Sequence, residues 1–330
     1  MSPLEVVWSQ DEMWKRTGPQ RFLSRHGRRL ALVGIAVAAW LCTIVAGGAL
    51  GIEGVLRLPR RPIAPADLER ARLVAARTDS HLEPTMLPAP DGALLRAWWF
   101  TPRGRSRGAV IALHGQADNR VAMLGLAELL LRDRYRVLVP DARAHGTSGG
   151  HLATYGLRER HDLRAWVEWA RNQHPDQCVF GMGASMGGAI LLQALPELPL
   201  CAAVAEASFA TFAGAARFRL AERFGVSRRL QSLLVEPFIG SASAYARLRY
   251  GIDLRHASPA DGVVRSQVPV LVVHGTRDRE IAVDDARMLA AANPRTVTLW
   301  IVDGAPHVQA WATAPDEYPR RVLGFLATHQ

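Results

Sequence analysis

A chain of 330 residues with 49% hydrophobic content is long enough for one large domain with a buried core plus an appendage. Glycine, proline and charged residues stand near ordinary levels, which excludes a fibrous or disordered protein. The net charge of +10 is nearly all arginine, with Lys15 the only lysine, and it is spread along the chain without a recognition helix, zinc-finger spacing or aromatic-basic platform, so nucleic acid is not an expected partner.

Residues 1–29 are polar and basic and read as a tail. From Leu30 to Ile52 run 23 residues without a charge. As a helix this run spans about 34 Å, enough for a hydrocarbon core of about 30 Å. A soluble helix of this length keeps a polar face. A cleaved signal peptide has a shorter apolar run and a shorter leader. The expectation is a retained single-pass transmembrane helix over 30–52, with the lipid bilayer as a partner. Lys15, Arg16, Arg21, Arg25, Arg28 and Arg29 precede it; Arg57, Arg60, Arg61, Arg70 and Arg72 follow. The excess of one charge on the N-terminal side orients the tail toward the cytoplasm and the rest of the chain outward.

Residues 53–80 hold Pro59, Pro62 and Pro65 and an Ala/Arg-rich stretch, and read as a linker with a short helix. From residue 81 to 330 strand and helix patterns alternate. Strands are expected at Leu94–Thr101, Ala109–Leu113, Arg136–Pro140, Cys178–Met182, Ala202–Ala205, Val268–Val273 and Val297–Val302. Helices are expected at Val121–Leu131, Glu159–Asn172, Met186–Leu195 and around Tyr318–Thr328. This rhythm implies an α/β fold, a mostly parallel sheet with helices on both faces. It breaks once: about 60 residues, 207–267, separate two strands where a simple connection is far shorter. That segment reads as a helical cap inserted above the sheet. Of the three cysteines, Cys42 lies in the apolar run, while Cys178 and Cys201 open apolar strand-like segments and read as small core residues, with no disulfide framework expected.

The chemistry concentrates at Gly183-Ala184-Ser185-Met186-Gly187, between the strand Cys178–Met182 and an apolar helix. A serine nucleophile stands on a sharp strand-to-helix turn, where flanking glycines give room and the helix N-terminus points N–H groups at developing negative charge. Serine needs a base, and the base an orienting acid. Asp278 follows the strand Val270–Val273, and His307 follows Val297–Val302. Ser185, Asp278 and His307 therefore lie after three strands at one edge of a parallel sheet, where such folds place their sites. Asp284 and Asp285 read instead as caps of a following helix, and Asp303 as a turn former. For the oxyanion, the N–H of Met186 and the N–H of Gln116, on the loop after Ala109–Leu113, are the candidate donors. His114 reads as a support for that loop.

Leu113-His114-Gly115-Gln116, Asp141-Ala142-Arg143-Ala144-His145-Gly146-Thr147-Ser148, Gly183-Ala184-Ser185-Met186-Gly187-Gly188 and His274-Gly275-Thr276-Arg277-Asp278 together resemble the α/β-hydrolase superfamily. Within it the chain is most similar to serine aminopeptidase-like and monoacylglycerol-lipase-like hydrolases. The resemblance covers roughly residues 85–328 and implies the α/β-hydrolase fold with its Ser-His-Asp triad. It implies a structural role for Asp141–Ser148 near the site. The function expected is a membrane-anchored serine hydrolase of carboxylic esters, acting on a small-molecule acyl substrate without metal or cofactor. Phe209, Phe212, Phe218, Phe224, Leu233, Leu234, Phe238 and Ile239 of the cap are candidates for an acyl pocket. A peptidase, which would need a carboxylate for a free α-amine, and an idle scaffold on the same fold are the alternatives.

Overall fold

In the computed structural model, which describes residues 19–330, the apolar run forms helix α1 (Pro19–Leu56) and is followed by α2 (Pro65–Arg77). The first 18 residues of the expected tail lie outside the described residues. Eight strands then build one sheet: β1 (Ser80–Pro88), β2 (Leu94–Pro102), β3 (Ala109–Leu113), β4 (Arg136–Pro140), β5 (Val179–Ala184), β6 (Ala203–Glu206), β7 (Val270–Gly275) and β8 (Val297–Val302). Their spatial order is β1-β2-β4-β3-β5-β6-β7-β8. β2 is antiparallel to β1 and β4, and every later neighbour pair is parallel. β1 is a strand that the sequence pattern does not announce. It contains Pro84 and ends on Pro88, which only an edge strand tolerates, and edge position is a tertiary property.

The inner strands are buried on both faces, as parallel sheets require. Trp99, Ile111, Leu138 and Val272 point to one face; Phe100, Val110, Val137 and Val273 point to the other. α4 (Glu159–Gln173) and α5 (Met186–Ala194) cover the first face, through residues such as Trp166 and Ile190. α2, α3 (Leu124–Arg132) and the last helix, α12 (Glu317–Ala327), cover the second through Val74, Leu130 and Val322.

Between β6 and β7 lie α6 (Phe212–Phe224), α7 (Gln231–Leu234), α8 (Glu236–Tyr250) and α9 (Pro259–Arg265). α9 packs on α5 as an ordinary flanking helix: a Cβ on Gly262 would stand 2.2 Å from the carbonyl oxygen of Leu192. α6 and α8 form the part of this segment that borders the candidate site. After β7 come α10 (Val283–Ala292) and, beyond β8, the short α11 (Ala310–Thr313).

Two local features differ from the sequence reading. Helix α1 runs to Leu56 rather than ending at Ile52, because Ile52 and Leu56 find apolar partners and become buried. Its last carbonyls are satisfied by the domain: Ala153 N–H donates to Leu56 O at 2.9 Å and Tyr155 OH to Val55 O at 2.9 Å. Cys178 and Cys201, expected as unpaired core residues, form a disulfide with Cα atoms 5.7 Å apart. Cys178 stands immediately before β5 and Cys201 two residues before the paired strand β6, where its N–H donates to Val179 O, so the parallel register brings the two side chains together. That adjacency is not visible in a sequence spacing of 23.

Candidate active site

Ser185 sits between β5 and α5 with φ 52° and ψ −115°, a left-handed conformation costly for a residue with a Cβ. The strain falls on the serine itself, and the glycines around it serve close packing. A Cβ on Gly183 would come within 2.4 Å of the Gly187 backbone, and one on Gly187 within 2.4 Å of Leu113 O. The turn is tied to the next strand, since Ser185 N–H donates to Glu206 O at 2.8 Å. Ala117, Ala207 and Val308, each one residue beyond a strand end or site residue, also have positive φ near 50–60°.

Ser185, His307 and Asp278 converge. His307 Nε2 lies 2.9 Å from Ser185 Oγ, and His307 Nδ1 lies 2.7 Å from Asp278 Oδ2. Asp278 is buried. Burial alone would raise its pKa, but hydrogen bonds from His274 and His307, the nearby His307 ring and the Ile281 N–H outweigh it and hold the carboxyl well below its usual range. Its other oxygen accepts from Glu280 N–H at 2.8 Å and Ile281 N–H at 2.9 Å, which fixes the carboxylate plane. The rival acids are employed elsewhere. Asp285 accepts from Ala210 N–H at 2.7 Å, inside the first turn of α10 rather than at its cap, and Asp303 accepts from Thr276 Oγ1 at 2.9 Å.

Met186 begins α5 and Gln116 lies on the loop after β3, and both line one cavity with Ser185. The loop is held by two neutral imidazoles. His114 Nδ1 bonds to Gly115 O at 2.7 Å while its Nε2 accepts from Ala142 N–H at 3.0 Å. Burial, with His145 close by, pushes the His114 pKa down to about 4. His145 accepts from Ala117 N–H at 3.3 Å. The Gln116 side chain is tied to α6, where Arg219 donates to its Oε1 at 3.0 Å and also to Glu280 at 2.8 Å. Asp141 accepts from the N–H groups of Arg120 and Thr147, so it orders the 141–148 loop.

The cavity measures about 230 Å³ and is lined almost entirely by apolar groups, including Phe209, Phe212, Phe238 and Ile239 of the expected set. Phe224, Leu233 and Leu234 of that set are instead exposed. Three contributors were not legible in the sequence. Tyr155 packs on Phe212 in the wall, with ring centroids 4.9 Å apart. Glu206 is buried beneath the site and its pKa is raised by that burial. It accepts from Ala310 N–H at 3.0 Å and Tyr318 OH at 2.9 Å, so it anchors the segment after His307. The third is helix α1, through Gly47, Gly51 and Ile52. No cluster of His, Cys, Asp or Glu able to hold a metal ion lies among the described residues.

A family model described as alpha/beta hydrolase fold matches residues 108–229, the stretch that holds β3, β5, Ser185 and Gln116. The esterase Pf2001 of Pyrococcus furiosus superposes with a TM-score of 0.63 at 27% identity, over 77% of this chain and 94% of that one. The chain has the α/β-hydrolase fold. Curated relatives of this hydrolase include the uncharacterized protein YqkD of Bacillus subtilis, 27% identical over 73% of this chain and 78% of that protein. The monoglyceride lipase of Rattus norvegicus is 30% identical over 112 residues, 33% of this chain and 37% of its own length. In this hydrolase the stretch Gly27–Leu56 of helix α1 contains an 18-residue window of mean hydropathy 2.3 and is long and apolar enough to cross a membrane.

Proposed function

We propose that this hydrolase is a membrane-anchored serine esterase in which Ser185 is the nucleophile, His307 the general base and Asp278 the orienting acid. The observation that carries the reading is the continuous chain Ser185 Oγ, His307 Nε2, His307 Nδ1, Asp278 Oδ2, with links of 2.9 and 2.7 Å, whose Ser185 end lines an apolar cavity. Ser185 Oγ attacks the acyl carbonyl while His307 Nε2 takes its proton. Asp278, ionised throughout because its pKa is held low, accepts the Nδ1–H bond and stabilises the imidazolium. The N–H groups of Met186 and Gln116 receive the oxyanion. His307 then protonates the leaving alcohol, and water releases the acyl group by the same steps in reverse roles.

An ester fits better than a peptide with a free α-amine, because no carboxylate lines the cavity among the described residues. Glu280, the acid nearest to it through Arg219, is already paired with that arginine. The esterase neighbour of 27% identity points the same way. Labelling by a fluorophosphonate probe tests the assignment. Wild type should label and Ser185→Ala should not; labelling that persists in Ser185→Ala removes the serine from its role, and an unlabelled wild type favours an idle scaffold.

For the anchor, we read α1 as a single span with the hydrolase domain outside the cytoplasm. The N-terminal charge excess supports this, and so does the Cys178–Cys201 disulfide, a bond that persists in oxidising compartments. Protease added to sealed right-side-out vesicles should digest the domain; protection there, with digestion in inverted vesicles, reverses the orientation.

A further inference from the structure

Helix α1 does not simply deliver the domain to the membrane. Gly47, Gly48, Gly51, Ile52 and Val55 recur at helical spacing and line one side of the cavity that holds Ser185. Opposite them runs α8. A Cβ on Gly47 would meet the Phe238 ring at 2.6 Å, and one on Gly48 would meet the backbone N of Ala242 at 2.9 Å. Ser241 Oγ donates to Ile44 O at 3.0 Å, and Tyr245 OH donates to Glu53 at 2.8 Å. Residues 44–48 meet 238–242, and Glu53 further along α1 meets Tyr245 and Tyr250 further along α8, so the two helices lie side by side and run in the same direction.

Gly51 is different from its neighbours. It lines the cavity, yet it is exposed, and a Cβ there would meet nothing within 4 Å. The cavity therefore opens beside α1 at the level of Gly51. With Leu30–Leu50 spanning about 30 Å at 1.5 Å per residue, the hydrocarbon core ends just below that level. Glu53 and Arg57 follow immediately, as suits an interface. Because α8 runs parallel to α1, the segment ahead of α8 points back toward the bilayer. There Leu230, Leu233 and Leu234 are 47%, 56% and 39% exposed, an apolar surface that suits the acyl boundary rather than water.

We propose that the anchor helix is a wall of the substrate site: an acyl chain leaves the bilayer through the opening at Gly51 and lies between the 47–55 face of α1 and α8, with its ester carbonyl at Ser185. The substrate class is a membrane-resident acyl ester. The proposal deepens the esterase reading and rests on it only for where the carbonyl ends.

The test reads binding separately from hydrolysis. Full-length protein is placed in phosphatidylcholine vesicles with a non-hydrolysable dodecyl glycerol ether carrying a diazirine in its chain. After irradiation, the labelled peptides are mapped. Label should reach the stretch Phe209–Leu220, which lines the cavity away from bulk lipid. Gly51→Leu, which fills the opening, and Ala242→Leu, which narrows it from the cap side, should each cut that label about tenfold. Gly54→Leu, outside the cavity and free of contacts, should leave it unchanged. Thermal unfolding near the wild-type midpoint shows that a variant is folded. In kinetics, the ratio of kcat/KM for dodecanoyl over acetyl esters should fall about tenfold in the two filling variants. No label on Phe209–Leu220, or equal label and an unmoved ratio in both folded filling variants, overturns the proposal. Loss of all fluorophosphonate labelling in wild type would sink the esterase reading alone, because the ether still reports whether a chain binds against α1.

Discussion

The two ends of the site are built by different means. The groups proposed to react stand on strand ends of a buried sheet: Ser185 after β5, Asp278 after β7, His307 after β8 and Gln116 after β3. Each is held by hydrogen bonds, and the backbone is strained at Ser185, Ala117 and Val308. The apolar wall is made by helices, α1 against α8 and α6, whose contacts are glycine to side chain and whose surfaces are half exposed. A rigid frame suits groups that must hold positions to a fraction of an ångström; a helical wall suits a flexible chain that needs volume and an opening. Changes at the strand ends should therefore strike turnover whatever the ester, and changes on the helical wall should strike chain-length preference.

The largest effect is expected at the strand ends. Ser185→Ala should lower kcat by about 10⁴-fold or more against every ester, with unfolding unchanged. A loss that depends on chain length would place Ser185 in the wall instead. Asp278→Asn should keep the fold and cost about 10⁴-fold in kcat, because the imidazole loses the partner that orients it; a loss under tenfold would hand the role to another acid. A third change lies far from both regions. Cys178→Ser with Cys201→Ser opens a link at the N-terminal ends of β5 and β6. It should lower unfolding free energy by about 3 kcal/mol while leaving ester turnover at room temperature as it is. Equal stability in denaturant titrations would mean that the bond does not form.

The smallest effect should come from the loop that bears Gln116. His114 is buried and neutral, with its pKa pushed down to about 4. Between about pH 6.5 and 4 the unfolded chain takes up a proton that the native ring refuses. Stability should thus be flat above neutrality and fall as pH drops through that window, by at most about 3 kcal/mol from this group. His114→Gln should flatten the slope of the denaturant midpoint against pH in this range; an unchanged slope would show that His114 is not the titrating group.

The sequence by itself determined the alternating α/β pattern, the membrane-length apolar run, and the order Ser185, Asp278, His307 after three strands. These are local properties: periodicity, charge, and turn residues between hydrophobic runs. The support role of His114 was also legible, because it follows directly on the apolar strand Ala109–Leu113. Only the tertiary structure decided which strands are neighbours. For that reason the Cys178–Cys201 bond, the edge strand with Pro84 and the burial of Glu206 under the His307 segment were hidden. The same reason applies to α1. An apolar helix with glycines at 47, 48 and 51 reads from sequence as a span in lipid, since hydropathy records affinity for an apolar medium and not which apolar medium is present. Only packing against α8 shows that one face of its last turns meets the hydrolase's own cavity, while the earlier turns remain free to meet the bilayer.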